Sequence, residues 1–314
     1  IPSISSTVVC PYCSTTVQLK TGEILKEHYV MRLQYSVDQI KERMLSWALK
    51  QLGVPKALEN KAEIKESRLV FWPFWVVEVE AVADYRGIQK KPRFGETIQK
   101  IHSLRSNWVD IPKGGHIDIE RDICIPAGKG VPKHLEHYKV PTRRKEFFQH
   151  DLVTDVGGEM QPIVIDRSKA ITMARKEMED RLEEEAREEV DKITKMDSEL
   201  QVPAVFLIHV PVWHITYSYS VRTYDALIDG ASGRVIYLEY PRKLAFRAMT
   251  LFGGLLHLVI GGGIGLLLVY IGIVYFDMVF PTTFGLVFGL GMLAFSLRFF
   301  RTAMSLKAGE EMPE

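Results

Sequence analysis

The chain has 314 residues, a formal net charge of +1 and 25% charged residues. That length suffices for one or two domains with real hydrophobic cores, and the near-neutral balance gives no global argument for a nucleic-acid partner. The charge is unevenly placed: residues 248–276 are 29 in a row without Asp, Glu, Lys or Arg, and 278–297 add 20 more. The sequence starts at Ile1 rather than Met, so a native N-terminal piece is expected to precede it. Ile1 to Lys20 contains no apolar core of the signal-peptide kind.

Residues 1–22 carry the first motif, Cys10-Pro11-Tyr12-Cys13, between Ser5-Ser6-Thr7-Val8-Val9 and Ser14-Thr15-Thr16-Val17. A short strand, a tight cysteine turn and a second strand is how a zinc ribbon puts two thiolates on one metal. A closed structural site takes four ligands, and the one further cysteine, Cys124, lies more than 100 residues away. Half of a ribbon is therefore expected here, its first knuckle lying before Ile1. A redox dithiol or a pair of inert thiols are the alternatives, and reduced thiols suit a cytoplasmic location.

The next stretch, 30–110, opens with a capping box, Ser36-Val37-Asp38-Gln39. It predicts a helix with Val37, Ile40, Met44, Trp47 and Ala48 on one face, ending near Gly53 and Pro55. A strand over Arg68–Arg86 follows, begun by the cluster Phe71-Trp72-Pro73-Phe74-Trp75. Residues 111–165 read as an insert of short strands, such as Ile117–Ile125, and loops, with a basic run at Arg143-Arg144-Lys145. In 166–240 the same grammar returns. Asp166 caps a long charged helix with an apolar stripe at Ile171, Ala174, Met178, Leu182, Ala186, Val190 and Ile193, and an alternating strand follows from Phe206. That stripe is narrow enough to serve as a partner-binding seam. Pro73-x-Trp75 and Pro211-x-Trp213 align at an offset of 138, so two divergent helix–strand–strand repeats are expected. The second closes on Ile228-Asp229-Gly230-Ala231-Ser232-Gly233, the composition of a tight hairpin turn.

Residues 248–298 predict a transmembrane hairpin, because a hydrocarbon core of about 30 Å needs roughly 20 apolar residues as helix. Asp277 and Pro281 mark its turn. Arg242, Lys243 and Arg247 precede the first span, Arg298, Arg301 and Lys307 follow the second, and the turn has no Lys or Arg. The positive-inside bias then puts both termini, the folded N-terminal region and the tail 299–314 in the cytoplasm. Gly261-x-x-x-Gly265 and Gly285-x-x-x-Gly289 give small-residue faces for helix contact. His257 stands inside the first span. It suits a helix-interface hydrogen bond or, failing that, a haem or proton site.

The overall expectation is an α+β soluble region with a zinc-ribbon-like start and two repeats, followed by the membrane hairpin. The sequence has no Gly-rich phosphate loop, no G-x-S-x-G and no H-E-x-x-H, and nothing in it reads as the active site of an enzyme. In this order, the knuckle Val9–Val17, the cluster Phe71–Trp75, the turn Ile228–Val235 and the terminal hairpin resemble the TFIIB-type zinc-ribbon membrane proteins of bacteria and archaea, often mislabelled primosomal helicase homologues. The resemblance covers most of the chain. It implies a membrane anchor associated with SPFH-domain and phage-shock-type proteins in envelope-stress systems, an adaptor with zinc on Cys10 and Cys13 and no small-molecule substrate. The missing first knuckle departs from the pattern. Two other classes remain open: a membrane redox or electron-transfer subunit using His257 or the Cys pair, and a nucleic-acid-binding zinc-ribbon protein using the Arg143–Lys145 loop.

Overall fold

The computed structural model of the chain describes residues 7–9, 16–18, 24–25, 27–92, 108–276, 279–304 and 307–311. The elements in order are β1 (Thr7–Val9), β2 (Thr16–Gln18), β3 (Ile24–Leu25), β4 (His28–Met31), α1 (Val37–Leu49), α2 (Leu58–Lys61), β5 (Glu63–Pro92) and β6 (Trp108–Pro126). Then come β7 (Lys145–Phe147), α3 (Asp151–Thr154), β8 (Glu159–Met160), α4 (Arg167–Glu189), β9 (Lys192–Gln201), β10 (Val205–Tyr219), β11 (Arg222–Asp229) and β12 (Val235–Pro241). The chain ends with α5 (Leu244–Ile271), α6 (Val279–Met304) and β13 (Lys307–Glu311). This is a mixed α/β region followed by two apolar helices. The small strands β1, β2 and β3 form their own antiparallel sheet, with Val9 opposite Thr16 and Val17 opposite Ile24.

The chain divides into two compact units, and neither is contiguous in sequence. The first comprises Ile1–Gln34, Leu69–Val212 and Asp229–Ser232. Within it β5 pairs antiparallel with β6, from Phe74 opposite Pro126 to Pro92 opposite Trp108, and with β9 on its other edge. Alternation along β5 turns Trp75, Val77, Val79, Ala81, Ala83 and Tyr85 to one face. Helix α4 covers that face with Ala170, Ala174, Met178, Leu182 and Ala186, one residue per turn and all fully buried. Three alanines in that row let the helix lie close to the sheet. The side chain of Asp166 caps α4 by accepting from the Lys169 amide at 2.8 Å. Relative to the spacing read from sequence, Ala170 rather than Ile171 begins the buried row. The helix ends at Glu189, where Val190 turns to extended backbone. Beside Val190, a Cβ on Gly87 would stand 2.6 Å from the Lys192 carbonyl oxygen, so the strand bulges at Arg86/Gly87 over a residue without one.

The second unit comprises Tyr35–Arg68, Trp213–Ile228 and Gly233–Glu314. Its core packs Ile40, Met44, Leu45 and Ala48 of α1 against Ile215 and Tyr217 of β10, Tyr224, Ala226 and Ile228 of β11, and Leu238 and Tyr240 of β12. The Ser36 amide donates to Gln39 Oε1 at 3.0 Å, the reciprocal half of the predicted capping box. Each long helix thus lies on strands from the other half of the sequence: α1 on β10–β12, α4 on β5 and β6. The two tryptophans of the Pro-x-Trp segments mark this exchange. Trp75 Nε1 donates to the Ile165 carbonyl at 2.8 Å, immediately before the cap of α4. Trp213 Nε1 donates to the Tyr35 carbonyl at 3.1 Å, immediately before the cap of α1.

The second unit also contains the apolar pair. Leu244–Val274 and Thr282–Met304, of 31 and 23 residues, are long and apolar enough to cross a membrane. At 1.5 Å per residue they reach about 46 and about 34 Å, against a hydrocarbon core of about 30 Å. After α6 the chain returns to the sheet, where β13 pairs antiparallel with β12, Pro241 opposite Lys307 and Tyr237 opposite Glu311. The start of α5 and the end of α6 are therefore tied together at one end of the pair.

Candidate functional site

Cys10 and Cys13 lie outside the described residues. Cys124 is a free thiol, and its burial pushes its pKa up to about 11, which keeps it protonated and unreactive near neutrality. Among the described residues no group of three His, Cys, Asp or Glu is arranged to hold a metal ion. Pro73 and Pro211 each accept a backbone hydrogen bond on the carbonyl, from the Ala127 amide at 2.8 Å and the Gly230 amide at 2.7 Å. With Trp75 and Trp213 they anchor strands and helix starts. These four residues fix architecture and expose no chemical group.

The helix pair offers the most developed surface. Along its seam, a Cβ on Gly285 would lie 2.7 Å from the Gly265 carbonyl oxygen, and one on Gly265 would lie 3.0 Å from Gly289 Cα. Backbone meets backbone there, as small residues permit in apolar surroundings. Further along, Met292 packs onto Gly261, and the buried Ser296 hydroxyl donates to the Gly254 carbonyl at 2.7 Å. His257 is committed locally: its Nδ1 stands 2.8 Å from the Gly253 carbonyl oxygen and its ring stacks on Phe299 with centroids 5.1 Å apart. That is the helix-interface arrangement, made within the hairpin itself.

Where the two helices meet the folded region, arginines close the ends. Arg247 Nε donates to the Ala303 carbonyl at 2.7 Å, and Arg242 donates to the Thr302 carbonyl at 3.3 Å. These are orphan carbonyls of the last turn of α6, and cations are the favoured partners at a helix C-terminus. On the same side, the Lys243 amide donates to the Gly53 carbonyl at 2.7 Å. Gly53 has φ +84, and Phe246 lies against it so closely that a Cβ would stand 2.6 Å from its ring. The end of α1 is thereby seated on the first turn of α5.

Three further arrangements bear on function. Two residues of the basic run are engaged locally: Arg144 donates to Gln34 Oε1 at 2.9 Å, and the Lys145 ammonium lies 3.4 Å from the centroid of Phe206. The apolar stripe of α4 from Ala174 to Ala186 is consumed by its own core, and the outer face is laced by Arg181–Glu177 and Arg187–Glu183 pairs. The Asp229 carboxylate is fully buried and accepts from the Tyr138 hydroxyl and the Ala231 amide, each at 2.7 Å, and from the Ser232 hydroxyl. Its role is to lock the turn from inside.

One cluster was invisible in the sequence. Parallel pairing of β4 with β10 brings His28 and His209 together, with ring centroids 5.0 Å apart, and Phe148 stacks on His28 at 4.1 Å. His209 is fully buried and neither ring nitrogen has a hydrogen-bond partner among the described residues. Burial pushes His209 down to about 3, and burial together with the neighbouring His209 pushes His28 down to about 2. Unfolded, both take up a proton near pH 6.5. The unfolded chain therefore binds more protons below that value, and stability is lost as pH falls from 6.5 toward the folded-state values. Each histidine removes about 2 kcal/mol between pH 6.5 and 5, at about 1.4 kcal/mol per unit. The thermal midpoint of the first unit is expected to drop between pH 7.5 and 5, and His209→Phe to abolish about half of this pair's share. An unchanged pH dependence in that variant contradicts the assignment.

No family model, curated protein or solved structure matches the chain.

Proposed function

We propose that this chain is a membrane-anchored adaptor, in which the α5–α6 hairpin spans the cytoplasmic membrane twice and holds the α/β region at its inner face. The observation that carries this reading is the hairpin itself. Two charge-poor helices pack glycine to glycine, their outer surfaces are apolar and exposed, and Arg242 and Arg247 fix both at one end. Leu251, Phe252, Leu255, Val259, Leu266 and Val287 are among the side chains that point outward, a surface that only lipid or another apolar partner satisfies. The Lys and Arg residues cluster at the end tied to the sheet, which supports cytoplasmic termini.

Recruitment of other proteins, with SPFH-domain or envelope-stress scaffolds as the class, follows from the resemblance to zinc-ribbon membrane proteins. In this reading Cys10 and Cys13 supply two thiolates of a structural zinc site. The test is a pull-down of the tagged chain from gently solubilised native membranes, read by mass spectrometry. Stoichiometric recovery of a scaffold protein is the expected result. Recovery of the chain alone, or with respiratory subunits or nucleic acid, overturns the adaptor assignment.

A further inference from the structure

We propose that the exposed face of α1 is a headgroup site for an anionic phospholipid, a phosphodiester carrying hydroxyl donors of the phosphatidylglycerol type; this rests on the membrane-anchor reading. A groove of about 360 Å³ runs along this face, lined by Glu42, Arg43, Ser46, Trp47, Lys50 and Gly233. Arg43, Ser46, Trp47 and Lys50 are spaced three, four and seven apart, so one helix face presents them together.

The groove is built around one oriented cation. The Arg43 guanidinium donates to the Tyr35 hydroxyl at 3.0 Å and lies over the Tyr35 ring, 4.2 Å from its centroid. Its other side rests on Gly233, where φ is +72 and a Cβ would stand 2.9 Å from Arg43 Cδ. A side chain at 233 would fill the space that the arginine occupies. Neither Arg43 nor Lys50 pairs with a carboxylate among the described residues. A guanidinium held in place with donors to spare is suited to a phosphate oxygen pair, and a flexible ammonium nearby adds charge.

Position and the remaining lining residues select the ligand. Lys50 is three residues before Gly53, whose carbonyl is bonded to the Lys243 amide at the first turn of α5. In the membrane-anchor reading, the Lys50 end of the groove lies toward the point where the chain enters the apolar span, and so toward the depth of lipid headgroups. Trp47, half-buried against Tyr240, gives an amphipathic wall of the kind favoured at that depth. Glu42 disfavours a multiply charged anion, while its carboxylate and the Ser46 hydroxyl accept from the hydroxyls of a glycerol headgroup. A singly charged phosphodiester with hydroxyl donors meets all of these groups.

The experiment titrates the full chain, held in a neutral detergent, with dihexanoyl phosphatidylglycerol, dihexanoyl phosphatidylcholine and inorganic phosphate. Saturable binding of the glycerol lipid is expected. Arg43→Gln and Lys50→Gln should each weaken it about fivefold, and the double variant about 25-fold. Both substitutions are at exposed positions of a helix that keeps its buried face, and circular dichroism serves as the check on folding. Equal binding of the choline lipid, or wild-type affinity in the double variant, overturns the site. Phosphate competing as well as the lipid makes it a free-anion site and overturns the lipid assignment. A chain that stays in phosphatidylcholine vesicles at alkaline pH but shows no preference for the glycerol lipid fails here alone. A chain released from them fails as an anchor, and the soluble lipids still decide the groove.

Discussion

Gly285→Leu is expected to open the α5–α6 hairpin and to destabilise it by more than about 3 kcal/mol, the top of the range for overpacking a close contact. The reason is what the new side chain meets. A Cβ at 285 falls 2.7 Å from the Gly265 carbonyl oxygen and 3.0 Å from the Val269 amide nitrogen, which are backbone atoms of the facing helix and cannot swing aside. By contrast, a Cβ at Gly262 or Gly291 meets nothing within 4 Å, so leucine there should be nearly neutral in the isolated chain. Unfolding in mixed micelles, followed by the helical signal, distinguishes these positions. Equal effects at 285 and 262 would mean that the glycine seam does not hold the pair.

The second large effect is expected at Trp75. Its side chain is 2% exposed in the main core of the first unit, and its indole nitrogen satisfies the Ile165 carbonyl ahead of the α4 cap. Trp75→Ala should cost about 3–5 kcal/mol from the cavity, with a further loss of about 1 kcal/mol or more from the abandoned carbonyl. Trp75→Phe keeps most of the volume and removes the donor, so it should cost roughly the hydrogen bond plus a small void. Hydrogen exchange at the first turn of α4 would report the difference: faster exchange in both variants is expected. Protection unchanged in Trp75→Phe would show that the bond does not secure the helix start.

These two residues also show what local pattern can and cannot reveal. The hairpin was legible because a run without charge has few other uses, and its glycines were legible as small-residue faces. Their partners were not. Gly265 meets Gly285 and Gly289, whereas Gly261 meets Met292, a pairing that depends on how the helices are offset. Likewise, the spacing of apolar residues in α4 identified its buried face from Ala174 to Ala186, since helical period alone sets that face. It could not say which strands would cover it. That α4 lies on β5 and β6, and α1 on β10 to β12, is a tertiary choice made by long-range burial.

Single polar residues were harder still. Asp229 was readable as a turn former, but its bond from Tyr138, 91 residues away in sequence, has no local signature. His28 and His209 carry no motif at all, and only strand pairing brings them together. Arg43 likewise has no local signature, since Tyr35 and Gly233, which hold it, come from outside its helix.

Side-specific labelling reads the orientation of the α5–α6 hairpin in the membrane. With Cys10, Cys13 and Cys124 replaced by serine, single cysteines are placed at Lys129, Asp277 and Ala308 and exposed to a membrane-impermeant maleimide in sealed vesicles of each orientation. Lys129→Cys and Ala308→Cys are expected to react only in inside-out vesicles and Asp277→Cys only in right-side-out ones. Labelling of 129 and 308 from opposite sides, or recovery of the chain in the soluble fraction after alkaline extraction, would contradict the anchor.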